Sequence, residues 1–237
     1  MIYVTGDIHG SVDKLEYYCQ EYNTTEDDTI IILGDTGFNY YLNKKDDILK
    51  QYVSELPCKF FCIRGNHEAR PENIDTYHTE ILKFGEVYME DKYPKILFAK
   101  DGGLYNFDGN SVLCIGGAYS VDKMYRIARG WMWFADEQLT EDEMKLITNN
   151  VIKYTEFADI DYVLTHTCPY NTRPVHMFLP GIDQDTVDSS MEKWLQGIAD
   201  AIDFKRWYFG HYHGDWNNGK YTMLFNGIVP LGEPYEE

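Results

Sequence analysis

No apolar run in this 237-residue chain approaches the ~20 residues that would span a bilayer. The start, Met1-Ile2-Tyr3-Val4, lacks the basic flank and small-residue cleavage site of a signal peptide. The sequence therefore predicts a cytoplasmic protein without a membrane partner, whose first strand begins at Met1. Cysteine is scarce: Cys19, Cys58, Cys62, Cys114 and Cys168 are an odd number without a Cys-x-x-Cys pair, so no disulfide framework is expected and a reduced compartment fits. Cys58 and Cys62 share one face of a strand-like run with no third partner, which reads as core packing. Positive charge is also short, with 21 Lys and Arg against 39 Asp and Glu, a net charge of −18. Such a field repels long nucleic acids, and without a Lys/Arg cluster there is no groove for a polynucleotide. There is no low-complexity tract, internal repeat or linker, so residues 1–237 are expected to form one domain, fraying only at Glu233 to Glu237.

What is present is an ordinary globular balance, 44% apolar and 25% charged, enough to bury a real core. Short apolar, β-branched or aromatic runs at Ile2 to Thr5, Thr29 to Leu33, Phe60 to Ile63, Tyr162 to Thr165 and Trp207 to Phe209 read as strands. Leu15, Tyr18, Cys19 and Tyr22 give an amphipathic helix from Val12 to Tyr22 with Ser11 as N-cap. A second helix is predicted over Asp46 to Leu56, with Ile48, Leu49, Tyr52, Val53 and Leu56 inward. These alternating elements are two βαβ units, hence a parallel sheet. Lys95 to Ala99, Gly103 to Phe107 and Ser111 to Ile115 are split by Asp-Gly turn signals, which predicts a second, mainly antiparallel sheet packed on the first. Further helices are expected over Thr140 to Tyr154, opened by a Thr140/Glu143 capping box, and over Asp183 to Asp200, with Val187, Met191, Trp194 and Leu195 inward.

The chemistry stands where strands run out. Asp7 and His9, Asp35, Asn66, His166, then His211 and His213 each follow one of the apolar runs. Ligands of open α/β sheets bind beyond the carboxyl ends of the strands, so separate segments ending this way can converge. Asp7-Ile8-His9 and Gly34-Asp35 are weak signals alone. Gly65-Asn66-His67-Glu68 is more specific, because amide ligation needs a rigid turn. Gly210-His211-Tyr212-His213 is the strongest piece, since two imidazoles at that spacing can hold metal together. His166 is preferred to His78 and His176 because it directly follows an apolar strand. His176 lies in a proline-flanked loop that can face a cleft mouth, and His78 reads as a helix or surface residue.

In this order the motifs resemble the calcineurin-like metallophosphoesterase superfamily, whose signature runs Asp-x-His, Gly-Asp, Gly-Asn-His-Glu/Asp, a lone His and Gly-His-x-His. The resemblance spans Asp7 to His213. It implies an α/β/β/α sandwich of two sheets flanked by helices, with a dinuclear site at one edge. By family roles Asp7, His9, Asp35 and His213 would hold one metal, and Asp35, Asn66, His166 and His211 the other, with Asp35 bridging. Two divalent ions ~3.5 to 4 Å apart orient a phosphoryl oxygen and activate a shared water or hydroxide for in-line attack. The mixed nitrogen and oxygen donors suit Mn, Fe, Zn or Co better than Mg or Ca. His67 is expected to protonate the leaving group.

The segment that opens with Gly34-Asp35 departs from the protein Ser/Thr phosphatases, which read Gly-Asp-x-x-Asp-Arg-Gly there. This chain has Phe38 and Asn39 at the Asp and Arg positions, although Arg64-Gly65-Asn66-His67-Glu68 matches those enzymes. Arg64, Arg126 and Arg129 are the candidate phosphate-gripping cations. Trp131, Met132, Trp133 and Phe134 are expected in the core, or else as a wall of the cleft that stacks on a base or aromatic leaving group. A small phosphomonoester or phosphodiester, or a phosphoprotein, suits the acidic field better than a polynucleotide. A protein-phosphatase-like enzyme and a silent scaffold of the same fold stay open as alternatives.

Overall fold

The computed structural model describes residues 1–178 and 180–236. Strands β1 (Ile2–Thr5), β2 (Thr29–Ile32), β3 (Lys59–Cys62), β4 (His78–Leu82), β5 (Gly85–Met89) and β6 (Ile96–Ala99) follow in chain order, with helix α1 (Val12–Glu21) after β1 and α2 (Lys44–Ser54) after β2. After them come β7 (Gly103–Phe107), β8 (Asn110–Ile115), α3 (Lys123–Arg129), α4 (Glu141–Thr155), β9 (Tyr162–Thr165), α5 (Ser190–Ala201), β10 (Arg206–Phe209), β11 (Trp216–Asn218), β12 (Tyr221–Met223) and β13 (Ile228–Pro230).

The strands form a 7-stranded sheet, β13-β1-β2-β3-β6-β5-β4, and a 6-stranded sheet, β11-β12-β10-β9-β8-β7. In the first, β1, β2, β3 and β6 run parallel, and β13, β5 and β4 are antiparallel additions. The second sheet corrects the expectation of a mainly antiparallel layer. Only β7 and β11 at its edges are antiparallel, while β8, β9, β10 and β12 run parallel. The hairpin signal between β7 and β8 was genuine but described one pairing, and the helices that follow β8 and β9 are crossovers that return the chain in the same direction. Likewise β6 joins the first sheet, beside β3.

Side-chain alternation builds the layers. In the run from Ile30 to Leu33, Ile31 and Leu33 face the second sheet together with Val4, Phe61, Ile63, Cys114, Leu164 and Tyr208. Ile30 and Ile32 face the opposite way, against Leu15, Tyr18 and Cys19 of α1 and Val53 of α2. Leu113, Ile115, Val163, Trp207 and Phe209 of the second sheet meet Met144, Ile147 and Val151 of α4 and Met191, Leu195 and Ile198 of α5. Strands buried on both faces carry continuous apolar runs rather than an alternating pattern, which is why these segments read as they do. All five cysteines are free and buried.

Helix α2 departs from its predicted stripe. Its inward residues are Asp46, Lys50 and Val53, whereas Ile48 and Tyr52 are 71% and 47% exposed. Polar residues take the inner face because each is matched there: Asp46 accepts from the Tyr41 and Leu42 N–H groups, and Lys50 Nζ lies 2.5 Å from Glu90 Oε2. Asn43 caps this helix through the Lys45 N–H, whereas Ser11 before α1 makes no side-chain cap bond. Thr140 and Glu143 form the expected capping box. The helix predicted over Asp183 to Asp200 is broken: a short 3-10 turn, Gln184–Thr186, precedes α5.

Candidate metal centre and cleft

The parallel strands β1, β2, β3, β9 and β10 deliver their carboxyl ends to one edge of the sandwich. Loop-to-loop hydrogen bonds lock those ends together: His9 N–H donates to Asp35 O at 2.7 Å, Gly210 N–H to His166 O at 2.9 Å, and Gly117 N–H to Arg64 O at 2.7 Å. Carboxylates tie the turns further. His211 N–H donates to Asp7 Oδ1 at 2.9 Å, and His67 N–H to Asp35 Oδ1 at 2.8 Å. His9, Asp35, His211 and His213 all adopt positive φ, between 45° and 69°, a conformation that L side chains take at a cost and that clusters at functional sites.

All seven sequence-predicted ligand residues meet in this place. Asp7, His9 and His213 form one group whose donor atoms lie within 4.8 Å of one another, and Asp7, Asp35 and His166 form a second. Asn66 Oδ1 lies 2.8 Å from His166 Nε2 and 3.1 Å from His211 Nδ1. The carboxylate common to both groups is that of Asp7, whereas the family roles made Asp35 the shared ligand.

The donor set fits divalent cations. Asp7 Oδ2 is buried with no hydrogen-bond partner among the described residues, an arrangement proteins avoid unless something else satisfies the atom. His9 Nε2 and His213 Nε2 face each other at 2.9 Å. His166 Nδ1 lies 2.7 Å from the Leu33 carbonyl, so its proton belongs there and Nε2 presents a lone pair to the cluster. The Asn66 amide donates to Ser120 Oγ at 2.8 Å, and Ser120 in turn donates to Glu137 Oε2 at 2.5 Å, which turns the Asn66 carbonyl oxygen toward the histidines. Two glycines make the packing possible: a Cβ on Gly210 would stand 2.2 Å from Asp7 Oδ1, and one on Gly34 would stand 2.1 Å from His166 Nδ1.

Electrostatics point the same way. Burial opposes ionisation of Asp7, but the neighbouring His166, His213 and His9 and the His211 N–H outweigh it and hold this carboxyl well below the usual range. Burial, then the Asp7 charge, pushes Asp35 well above it. Burial lowers His9 to about 4, and burial with the nearby His166 lowers His211 to about 3. Only His213 is raised, by its hydrogen bond to Asp7. Imidazoles that are neutral at pH 7 have lone pairs to offer a cation.

His67 lies beside this cluster, its Nε2 3.9 Å from Asp35 Oδ2. Arg126 Nη2 is 2.9 Å from the same Nε2, and Asp122 anchors Arg126 through Nε at 2.8 and 2.9 Å. Burial, then the Arg126 charge, lowers His67 to about 2. The other two candidate cations lie elsewhere. Arg64 is buried, bonded to Asp101 and the Glu137 carbonyl, and braces the loop behind the site. Arg129 is exposed and packs its guanidinium over Tyr125. Phe38 is fully buried, and Asn39 is buried with its Oδ1 bonded to Tyr77, so neither reaches the cleft.

A cleft of about 320 Å³ opens over the cluster, with His9, Asp35, Asn66, His67, Arg126, His211 and His213 on its floor. A second groove, which shares His9, Asp35, His67 and Arg126 with the first, includes Tyr40, Tyr41 and Trp131. The aromatic cluster of residues 131–134 thus splits: Phe134 is core, Trp133 donates to Glu137, and Trp131 borders the groove. His176 is exposed, and His78 lies on an edge strand. Sequence reasoning missed Ser120 and Glu137, which orient Asn66, and Lys14, which donates to the Asp7 carbonyl at 2.7 Å. Ser120 follows a strand end and Lys14 lies on the first crossover helix, whereas Glu137 carried no signal.

A profile of the calcineurin-like phosphoesterase family matches residues 1–215. No curated protein matches the chain. Among solved structures, TT1561 of Thermus thermophilus is similar at 13% identity, with 98% of this chain and 90% of that one covered and a TM-score of 0.51. The phosphopantetheinyl hydrolase PptH from Mycobacterium tuberculosis is similar at 11% identity, with 94% and 89% covered and a TM-score of 0.52. These likenesses show the shared fold. With a profile match over most of its length and a cleft floored by the family's residue types, the chain belongs to the calcineurin-like phosphoesterase family.

Proposed function

We propose that the protein hydrolyses a small phosphomonoester or phosphodiester with two divalent ions of the Mn, Fe, Zn or Co type. The observation that carries this reading is the convergence of Asp7, His9, Asp35, Asn66, His166, His211 and His213, with Asp7 Oδ2 left unpartnered. Asp7, His9 and His213 would hold one ion and Asp35, Asn66, His166 and His211 the other, with Asp7 or Asp35 shared. When bound, such a pair supplies Lewis acidity and lowers the pKa of water, so no side-chain nucleophile is required.

The chain's own groups do the rest. Arg126, held on Asp122, presents its guanidinium at the floor of the cleft, where a phosphoryl oxygen can take two of its N–H groups. Asn39 is buried away from the cleft, so Arg126 would supply from a different segment the cation that the Gly34-Asp35 motif lacks. His67 borders the cleft beside the cluster, and proton delivery from it to a leaving-group oxygen would contribute typically ~10² to 10⁴ in rate. Its Nε2 accepts from Arg126 in the free protein; a phosphate that draws the guanidinium to itself frees that nitrogen to take a proton from solvent and pass it to the leaving group. The acidic surface, at −18, favours compact esters over polynucleotides.

The test is hydrolysis of p-nitrophenyl phosphate beside bis-p-nitrophenyl phosphate by the Mn²⁺-loaded protein, with Asp35→Asn as control. Turnover of either ester that is abolished in Asp35→Asn supports the reading. Silence on both, with metal content confirmed, contradicts it.

A further inference from the structure

The cleft extends past the histidines into a region that the hydrolytic machinery leaves unused. Its walls there are Met177, Phe178, Ile182, Val187 and Tyr212, with the Phe178 and Tyr212 rings stacked at 6.2 Å. Tyr212 sits in sequence between His211 and His213, so this apolar wall begins at the cluster itself. At its end stands one carboxylate, Glu192, in the first turn of α5.

Glu192 is 5% exposed and borders the cleft. Its Oε1 accepts from Thr167 Oγ1 at 2.9 Å, and that hydroxyl is 3.1 Å from Tyr212 OH. Its Oε2 is buried without a hydrogen-bond partner among the described residues. The second arginine bordering the cleft, Arg173, is engaged elsewhere: it donates to the Tyr170 carbonyl at 2.9 Å and lies 3.5 Å over the Tyr170 ring. No ion pair within 4.0 Å joins it to Glu192 among the described residues. Helix capping does not explain the carboxylate either, because Ser189 makes no side-chain cap bond and no cap hydrogen bond to Glu192 Oε2 is formed among the described residues. A buried acceptor left open is costly unless a ligand completes it.

We propose that this end of the cleft is a leaving-group subsite for an amine carried on an apolar or aromatic body, with Glu192 Oε2 accepting from the amine. The inference rests on the phosphoesterase reading for the phosphate end of the substrate. An amine-bearing phosphate ester is also zwitterionic, so the acidic field of the protein repels it less than a simple ester. A site with a buried polar group discriminates against the analogue that lacks its partner, because the group is then left unpaired.

A matched pair of esters tests this. Tyramine O-phosphate and 4-ethylphenyl phosphate have aryl leaving groups that differ in the terminal amine. The Mn²⁺-loaded wild type is expected to favour the amine ester in kcat/KM by about tenfold. Glu192→Gln is expected to lose that preference while keeping its rate on 4-ethylphenyl phosphate, which also shows that the variant is folded. Binding of tyramine against 4-ethylphenol, followed by calorimetry on both proteins, gives a readout independent of turnover. Equal binding of tyramine and 4-ethylphenol by the wild type, or a preference that survives Glu192→Gln, overturns the subsite. Absence of hydrolysis of both esters while tyramine binds selectively through Glu192 upholds the subsite and counts against the hydrolase reading alone.

Discussion

The guanidinium of Arg126 and the imidazole of His67 meet at 2.9 Å, Nη2 to Nε2, although they lie 59 residues apart in sequence. Burial, and then this cation, keep the imidazole neutral, and the guanidinium marks where an anion would be received. Arg126→Ala should lower kcat/KM by about tenfold to a hundredfold, the worth of one charge-assisted hydrogen bond to phosphate. Metal content should not change. Steady-state kinetics with elemental analysis of the purified variant checks both, and Asp122→Asn, which loosens the anchor, should show a smaller loss in the same direction.

His67→Ala should retain its metals and lose ~10²-fold or more in turnover, with the largest loss on esters of poorly acidic alcohols, where protonation of the leaving oxygen matters most. A series of aryl and alkyl phosphates measures this as a steeper dependence of rate on leaving-group pKa. A uniform loss across the series would place His67 in binding rather than in proton delivery.

Gly210→Ala should cost metal binding more than folding. The added methyl would stand 2.2 Å from Asp7 Oδ1 and 3.1 Å from the Leu33 carbonyl, so the carboxylate must leave its position. The expected result is a folded protein by circular dichroism with strongly reduced metal occupancy, and no gain in activity at saturating phosphate ester.

Away from the cleft, Glu143 accepts from the Thr140 N–H at 2.7 Å and lies 2.5 Å from Arg70 Nη1. Burial opposes its ionisation, but the Thr140 N–H and Arg70 outweigh burial and lower its pKa below the ordinary 4.5. A carboxyl lowered on folding stabilises the fold above its unfolded pKa, and that contribution fades as pH falls through the folded value. Glu143 is partly exposed, which limits the effect to about 1 kcal/mol. Glu143→Gln should therefore lower the urea midpoint at pH 7, and the gap to wild type should close as pH drops below 4.5.

Much of this arrangement was legible in the letters, for a physical reason. Strands buried on both faces must be continuously apolar, so the runs at Ile2, Thr29, Lys59, Tyr162 and Arg206 announced themselves, and the ligand types after them followed. What escaped reading was set by partners distant in sequence. Asp46 and Lys50 occupy the inner face of α2 because Tyr41, Leu42 and Glu90 satisfy them. The direction of β9 and β10 depended on crossovers that no local pattern encodes. Arg64 and Arg126 looked equivalent as phosphate grips, yet Asp101 holds one behind the loop and Asp122 holds the other in the cleft. Glu192 had no signal at all, being one acid among many until Thr167 and the cleft wall gave it a place.

The most direct test is anomalous diffraction from crystals grown with Mn²⁺. Two manganese peaks ~3.5 to 4 Å apart, one against Asp7, His9 and His213 and the other against Asp35, Asn66, His166 and His211, are the predicted result. An empty cluster in metal-replete crystals, or a single ion bound elsewhere, would contradict the account.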